Sequence, residues 1–369
     1  MPKILLHTVM VFLLVGCSAR KQVPVEIPLE TSAQLSSVYP TGAPSNVALN
    51  LAPFQNKPTL TASELISEVL KRNSSLSSMS QTYQAALERE SQVSALDDPM
   101  LSYASVPTSV NSSEVDYGQK ITLSQKFPWP GKLALKGKRA DALARASKEE
   151  LSDLTNRIIE ATKRAFFEYY YVTKALQVNA DNIKIIKEFA SVAEGKYSAG
   201  TASKQDALQA EVRLLHLQHQ RIGLKRALHV TTSKINTLLQ IPSDTPLPPP
   251  PETLPFPTHI DTVQSLVQLA KESNPALTAI DEKIHAKEAT VKLAEKEFMP
   301  DFTIEAGYNS IWQEDDLRPI VGIGINLPLQ LEKRRAKKRE EENLLQSLKA
   351  ERAAKSAEIE HDVKTAIDN

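Results

Sequence analysis

Cysteine is almost absent: Cys17 is the single one in a chain of 369 residues. That excludes a disulfide framework and any Cys-rich zinc module. Glycine is scarce as well, with 11 residues, below its usual share of about 7%. The shortage disfavours Gly-rich phosphate loops and folds built on many tight turns. Net charge of either sign is missing, since 44 basic residues balance 44 acidic ones. A dedicated nucleic-acid binder carries a basic excess, so no nucleic-acid partner is expected. No Gly-x-Ser-x-Gly, P-loop or His-Glu-x-x-His pattern occurs, and neither an enzymatic activity nor a cofactor is expected. Proline is missing from two long stretches, Gly131 to Ile241 and Leu329 to Asn369. A proline costs about 3 kcal/mol inside a helix, so both stretches read as long helices. The length alone suggests two or three domains.

The amino terminus reads as an address. Lys3 precedes an apolar run, Ile4 to Val15, broken only by His7 and Thr8. Its length suits a signal-peptide core and is short for a membrane span. It ends in Leu14-Val15-Gly16-Cys17, a pattern that resembles a bacterial lipobox. Residues 1–16 are then the signal peptide and Cys17 the lipidated first residue of the mature chain. The alternative is a plain secretory signal with a chance cysteine. Ser18 after the cysteine resembles an outer-membrane address. Residues 17–60 are rich in Pro, Ser, Thr and Val and read as an extended tether.

What the chain does have is an internal repeat. At an offset of 201, Leu65 meets Leu266, Asn73 meets Asn274, Leu76 meets Leu277, Ala85 meets Ala286 and Pro99 meets Pro300. At an offset of 200, Ile121, Leu123, Phe127 and Pro128 meet Val321, Ile323, Leu327 and Pro328. The first unit covers residues 61–241 and the second 261–369, with a Pro-rich connector, 242–260, between them. Each unit reads helix, strand, loop, strand, proline, helix. The strands show period-two alternation. Phe302, Ile304, Ala306 and Tyr308 alternate with Asp301, Thr303, Glu305 and Asn309, and Val321, Ile323, Ile325 and Leu327 alternate with Gly322, Gly324 and Asn326. Ile121, Leu123 and Phe127 do the same with Thr122, Ser124 and Lys126; Met100 to Val106 matches less well. Barrel strands with lipid on one side and water on the other alternate in this way. A soluble sheet with one buried face would too. Four strands cannot close a membrane barrel, so a barrel needs strands from several chains.

Apolar residues in alternating three- and four-residue steps run from Leu151 to Ala193 and from Ala207 to Leu238, coiled-coil-like spacing. A first helix is predicted from about Lys132 to Ser198, roughly 100 Å long at 1.5 Å per residue. A return helix is predicted from about Ser203 to Leu239, and a single helix from about Thr61 to Leu96. The last two together match the long one in length, which predicts that they stack end to end beside it.

Three segments carry a family resemblance. One is the strand-to-helix corner Leu123-Ser124-Gln125-Lys126-Phe127-Pro128-Trp129-Pro130-Gly131-Lys132-Leu133. Another is the turn Tyr197-Ser198-Ala199-Gly200-Thr201-Ala202-Ser203-Lys204-Gln205-Asp206-Ala207-Leu208-Gln209-Ala210. The third is Asn274-Pro275-Ala276-Leu277, with Asn73-Ser74-Ser75-Leu76 as its degenerate copy. Over about Thr61 to Asn369 the chain resembles the TolC family of outer-membrane efflux proteins, and its corner is similar to that of the heavy-metal branch. The resemblance implies a mainly α fold with β: a duplicated helix–strand–strand–helical-hairpin unit whose four strands join an oligomeric transmembrane barrel. It further implies a homotrimer for a full-length chain, outer-membrane lipids around it, and a periplasmic adaptor linking it to an inner-membrane pump. The implied activity is a passive conduit for metal ions or small toxic molecules. A non-conducting periplasmic scaffold lipoprotein and a type I protein secretion conduit are the alternatives.

The resemblance places Gly200, Thr201, Ser203 and Asp206 at an adaptor-docking tip. On their own chemistry, Gly200 suits a helix terminus, Ser203 an N-cap, and Asp206 the first turn of the return helix. Phe127, Pro128, Trp129, Pro130 and Gly131 form the corner, with Trp129 either at a membrane interface or at a packed junction. Phe166, Phe167, Tyr169, Tyr170 and Tyr171 read as inter-helix contacts. His216 and His219 lack a third donor, so no metal site is assigned. The basic run Lys333 to Arg339 reads as a solvated face with local ion pairs, or as lipid-phosphate contacts. The second unit stops about 41 residues after Pro328, whereas the counterpart of Leu239 would fall near position 440; the unit is expected to lack its tip and return helix.

Overall fold

The computed structural model describes residues 53–54, 57–111, 113, 117–254, 261–312 and 314–368. The signal sequence, Cys17 and most of the tether lie outside the described residues. The first unit contains α1 (Ala62–Arg72), α2 (Ser74–Ser94), β1 (Met100–Val106), β2 (Gly118–Phe127), α3 (Lys132–Ser198) and α4 (Lys204–Leu239). The second contains α5 (Val263–Ser273), α6 (Pro275–Lys296), β3 (Phe302–Asn309), β4 (Pro319–Ile325) and α7 (Leu331–Asp368). This is the mainly α, duplicated helix–strand–strand–helix plan expected from the repeat.

One expectation is corrected. The single helix over Thr61 to Leu96 is two helices, broken at Asn73. The Asn73 N–H closes α1 on the Val69 carbonyl, and its Oδ1 accepts from the N–H groups of Ser75 and Leu76 at 3.0 and 3.3 Å. Asparagine side chains of this kind satisfy the orphan donors of a helix start. Asn274 breaks the second unit at the matching place, accepting from Ala276 N–H at 2.9 Å. Pro275 enforces that break, since a residue before proline disfavours helical ψ.

The 67-residue α3 is the spine. Its first part lies between α2 and α6 and uses small side chains there. Gly137 faces Ser94 and Glu90 of α2. Ala140, Ala142, Ala144 and Ala146 are all buried, as are Ala279, Ala286, Ala289 and Ala294 of α6. The second part of α3 pairs with α4. The main apolar core sits where these pairings change over, and contains Leu65, Val69, Leu76, Ile158, Phe166, Tyr169, Ile235 and Leu239. Phe166 and Tyr169 are thus core residues, while Phe167 and Tyr171 of the same cluster are exposed.

One side chain links the end of α4 to the first helices. Gln240 follows α4 with a left-handed φ of 55°. With its amide assigned so that donors face acceptors, the nitrogen donates to the Arg72 carbonyl at 3.0 Å and the oxygen accepts from Ser74 N–H at 2.8 Å. The end of α4 therefore meets the α1–α2 joint. The Pro-rich connector straps the same region: Leu60 N–H donates to Pro249 O at 2.9 Å and the Tyr169 hydroxyl donates to Pro248 O at 3.0 Å.

The four strands form one antiparallel sheet in the order β1-β2-β3-β4. The pairs Leu101↔Leu123, Tyr103↔Ile121, Ile121↔Tyr308, Leu123↔Ala306, Ile304↔Ile323 and Ala306↔Val321 fix its register. Directly opposed residues share a face, so these pairs define one apolar face. The other face carries Lys120, Thr122, Ser124, Lys126, Thr303, Glu305, Gly322 and Gly324. β4 ends at Ile325, short of the alternation expected through Leu327, because Asn326 turns aside and exchanges hydrogen bonds with Asp301.

Candidate functional site

Two features positioned by α3 are candidates, one at each end of it. The first is the corner where β2 becomes α3. Phe127 is the last residue of β2, and Pro128 to Gly131 make the bend. Gly131 sits at the helix N-cap with φ 89°, a conformation that suits glycine. The bend is held from the second unit. Asp301 Oδ1 accepts from Trp129 N–H at 2.9 Å and from Lys132 Nζ at 2.7 Å, and Lys126 Nζ lies 3.6 Å from Oδ2. Lys132 also donates to the Met299 carbonyl, and Lys296 donates to the Pro130 carbonyl. The Trp129 ring stacks on Phe302 with centroids 5.7 Å apart. Partial burial pushes the Asp301 carboxyl up, but the Lys132 and Trp129 donors and the Lys126 charge outweigh it and hold the group below its ordinary value.

The expected strand alternation counted Asp301 as a polar strand residue. β3 instead starts at Phe302, and Asp301 is turned into the corner. No sequence signal identified this contact, which spans 169 positions between Asp301 and Lys132. The run beginning at Lys333 has its local ion pairs, Arg335–Glu332 and Lys337–Glu340 among them. Lys333, Arg334 and Lys337 also reach a cleft of about 680 Å³ shared with Lys126, Lys132 and Asn326. Lys126 and Asn326 belong to the polar face, so this cleft opens on that side of the sheet.

The second feature is the α3–α4 turn. Gly200 N–H donates to Tyr197 O and Thr201 N–H to Lys196 O, both at 2.9 Å. This paired closure is a Schellman motif, and Gly200 supplies its left-handed residue with φ 73°. The Thr201 hydroxyl adds a bond to Lys196 O at 3.0 Å. The Ser203 hydroxyl accepts from Asp206 N–H at 3.3 Å and donates to Asp206 Oδ2 at 3.0 Å. Gly200, Thr201, Ser203 and Asp206 therefore stand together in one exposed turn. Beside it, Ile185, Phe189 and Val192 of α3 and Leu208, Val212 and Leu215 of α4 are all more than half or half exposed. Their i, i+4, i+7 spacing makes an outward apolar seam on each helix, distinct from the inward seam of Ile183, Ala193, Ala210 and Leu217. His216 and His219 are exposed on α4.

With this geometry, likeness to solved structures is informative. The outer-membrane channel OprN aligns with a TM-score of 0.66 and 16% identity over 83% of this chain and 73% of its own. The outer membrane protein VceC from Vibrio cholerae aligns at 0.69 and 16%, over 83% and 78%. CusC, whose structures concern transmembrane channel formation, aligns at 0.63 and 14%, over 83% and 73%. The chain has the TolC-like channel fold. No family model matches it, and no curated protein does.

Proposed function

We propose that this chain is the outer-membrane channel component of a tripartite efflux system, a passive conduit for metal ions or small toxic molecules. The two-faced sheet carries this reading. Val321 and Ile323 are 81% and 75% exposed on one face, while the opposite face is polar. Water on both sides would leave the apolar face at a steep cost. Lipid on one side and an aqueous lumen on the other suits both faces. Among the described residues no helix is long and apolar enough to cross a membrane. β1 and β4 have no further strand partner among the described residues. Edges of this kind invite strands from other copies, which supports a homotrimer.

In this reading Cys17 carries the acyl anchor and the long helices extend into the periplasm. The turn around Gly200 docks a periplasmic adaptor, which joins the channel to an energised inner-membrane pump. The corner motif, similar to that of the heavy-metal branch, favours metal ions among the cargoes. Purified protein in planar bilayers should give discrete single-channel currents. Absence of conductance in a membrane-inserted protein would favour the scaffold alternative. Sensitivity of a deletion strain to copper, silver, zinc, cobalt and antibiotics identifies the cargo.

A further inference from the structure

Just below the apolar face lies a recess that conduction does not use. It has a volume of about 610 Å³ and is lined by Trp129, Lys138, Lys292, Glu295, Lys296 and Met299, among others. Trp129 stacks on Phe302, and Phe302 pairs with Ile325 and Phe127 in the apolar-face register. The recess is therefore continuous with that face, on the opposite side from the cleft that holds Lys126 and Lys333.

Its charge is unbalanced. Lys138 and Lys292 have no hydrogen-bond or carboxylate partner among the described residues, and Lys296 reaches only the Pro130 carbonyl at 3.3 Å. The carboxylate in its lining, Glu295, is paired with Lys338 at 2.9 Å. Three ammonium groups beside one carboxylate that is already paired leave a net positive recess that attracts an anion.

We infer that this recess binds the headgroup of a net-anionic phospholipid. The inference rests on the membrane reading of the sheet. An indole at the end of an apolar face suits the membrane–water boundary, and lysine stems lie along apolar surface while their charges reach phosphate. The pattern combines both: Trp129 marks the level, and Lys138, Lys292 and Lys296 converge beneath it.

The test uses Trp312→Phe protein, in which Trp129 is the remaining tryptophan. Vesicles of phosphatidylcholine, and others with about one third phosphatidylglycerol, are compared with and without Lys138→Gln/Lys292→Gln/Lys296→Gln. Each lysine near an anionic surface is worth about 1 kcal/mol, so the triple variant should lose on the order of a hundredfold in affinity for the anionic vesicles. Its affinity for phosphatidylcholine should hold within about twofold, because lipid insertion of the apolar face is untouched. A headgroup-attached nitroxide should quench Trp129 more than a mid-chain nitroxide. Any acyl anchor is common to every arm. Equal loss on both vesicle types, or none on either, overturns the site while quenching of Trp129 upholds the membrane reading. Quenching by neither probe overturns the membrane reading itself. Inorganic phosphate, added at constant ionic strength, should not displace the anionic vesicles; displacement would mean a free-oxyanion site and overturn the lipid assignment.

Discussion

Asp301 anchors the corner from the far side of the chain. Its carboxylate holds Lys132, the first residue of α3, whose side chain is 11% exposed. Removing the negative charge leaves that ammonium nearly buried and unpaired. Asp301→Asn should destabilise the protein by about 1–3 kcal/mol, and Lys132→Met in the same chain should recover part of the loss. A double-mutant cycle measures the coupling, and additive effects would show the pair to be inert. Gly200 acts at the other end. An added Cβ there meets no atom within 4 Å, so Gly200→Leu changes only backbone strain, about 1–2 kcal/mol for a left-handed residue. Global stability and membrane insertion should survive, while co-purification with an adaptor falls. Normal efflux in Gly200→Leu would reject the docking tip. The tip was legible in the sequence because a Schellman turn and an N-cap are encoded within a few neighbouring residues. Asp301 was not, because its partners lie far away in the chain. Gln240 was missed for a different reason: a glutamine gives no local signal for a positive φ, and its role depends on where α1 and α2 meet.

Helices were legible in proportion to how locally their ends are written. The limits of α3 follow from Gly131 before it and Gly200 after it. The break at Asn73 was hidden because its copy of the motif lacks the proline that marks Asn274. Attachment of α7 was hidden for a physical reason. Its described contact with α5 and α6 buries only Glu341 and Ile359, so the contact is written in charges rather than in an apolar stripe. Lys287 meets Glu341 at 2.9 Å and Lys271 meets Glu360 at 2.7 Å, while Arg352 pairs with Asp281. Lys271 from α5 and Lys364 from α7 together hold the Glu360 carboxyl down to about 2 from an ordinary 4.5. A depressed carboxyl stabilises the folded state above its unfolded pKa and loses that contribution as pH falls through its folded pKa. Docking of α5 on α7 should therefore weaken between about pH 4.5 and pH 2. Glu360→Gln should remove this component, so the gap between wild type and variant, followed by hydrogen exchange of α5 amides, narrows toward acid. A gap unchanged across that range would mean that the pair's charge contributes nothing.

At the scale of the whole molecule, the repeat and the alternation were enough to predict a two-faced sheet. They could not say that β2 of one unit pairs with β3 of the other, since pairing between units depends on how the two helical stacks share α3. That pairing merges two hairpins into one surface and puts Ile121 opposite Tyr308, both exposed. The membrane reading makes the two faces unequal toward charge. Ile323→Arg places a cation on the lipid side, which costs about 2–4 kcal/mol at the bilayer midplane. Glu305→Arg, on the polar face opposite Gly322, meets water instead and should cost little. Ile323→Arg should therefore lower the inserted fraction of protein sharply. Glu305→Arg should insert normally and shift the channel's reversal potential toward anion selectivity, because it replaces a negative charge in the lumen with a positive one. A soluble sheet with one covered face would respond differently: Ile323→Arg would disrupt a protein contact, and Glu305→Arg would leave no electrical trace. Reversal potentials under a salt gradient, measured beside the inserted fraction, separate the two cases on the same pair of variants.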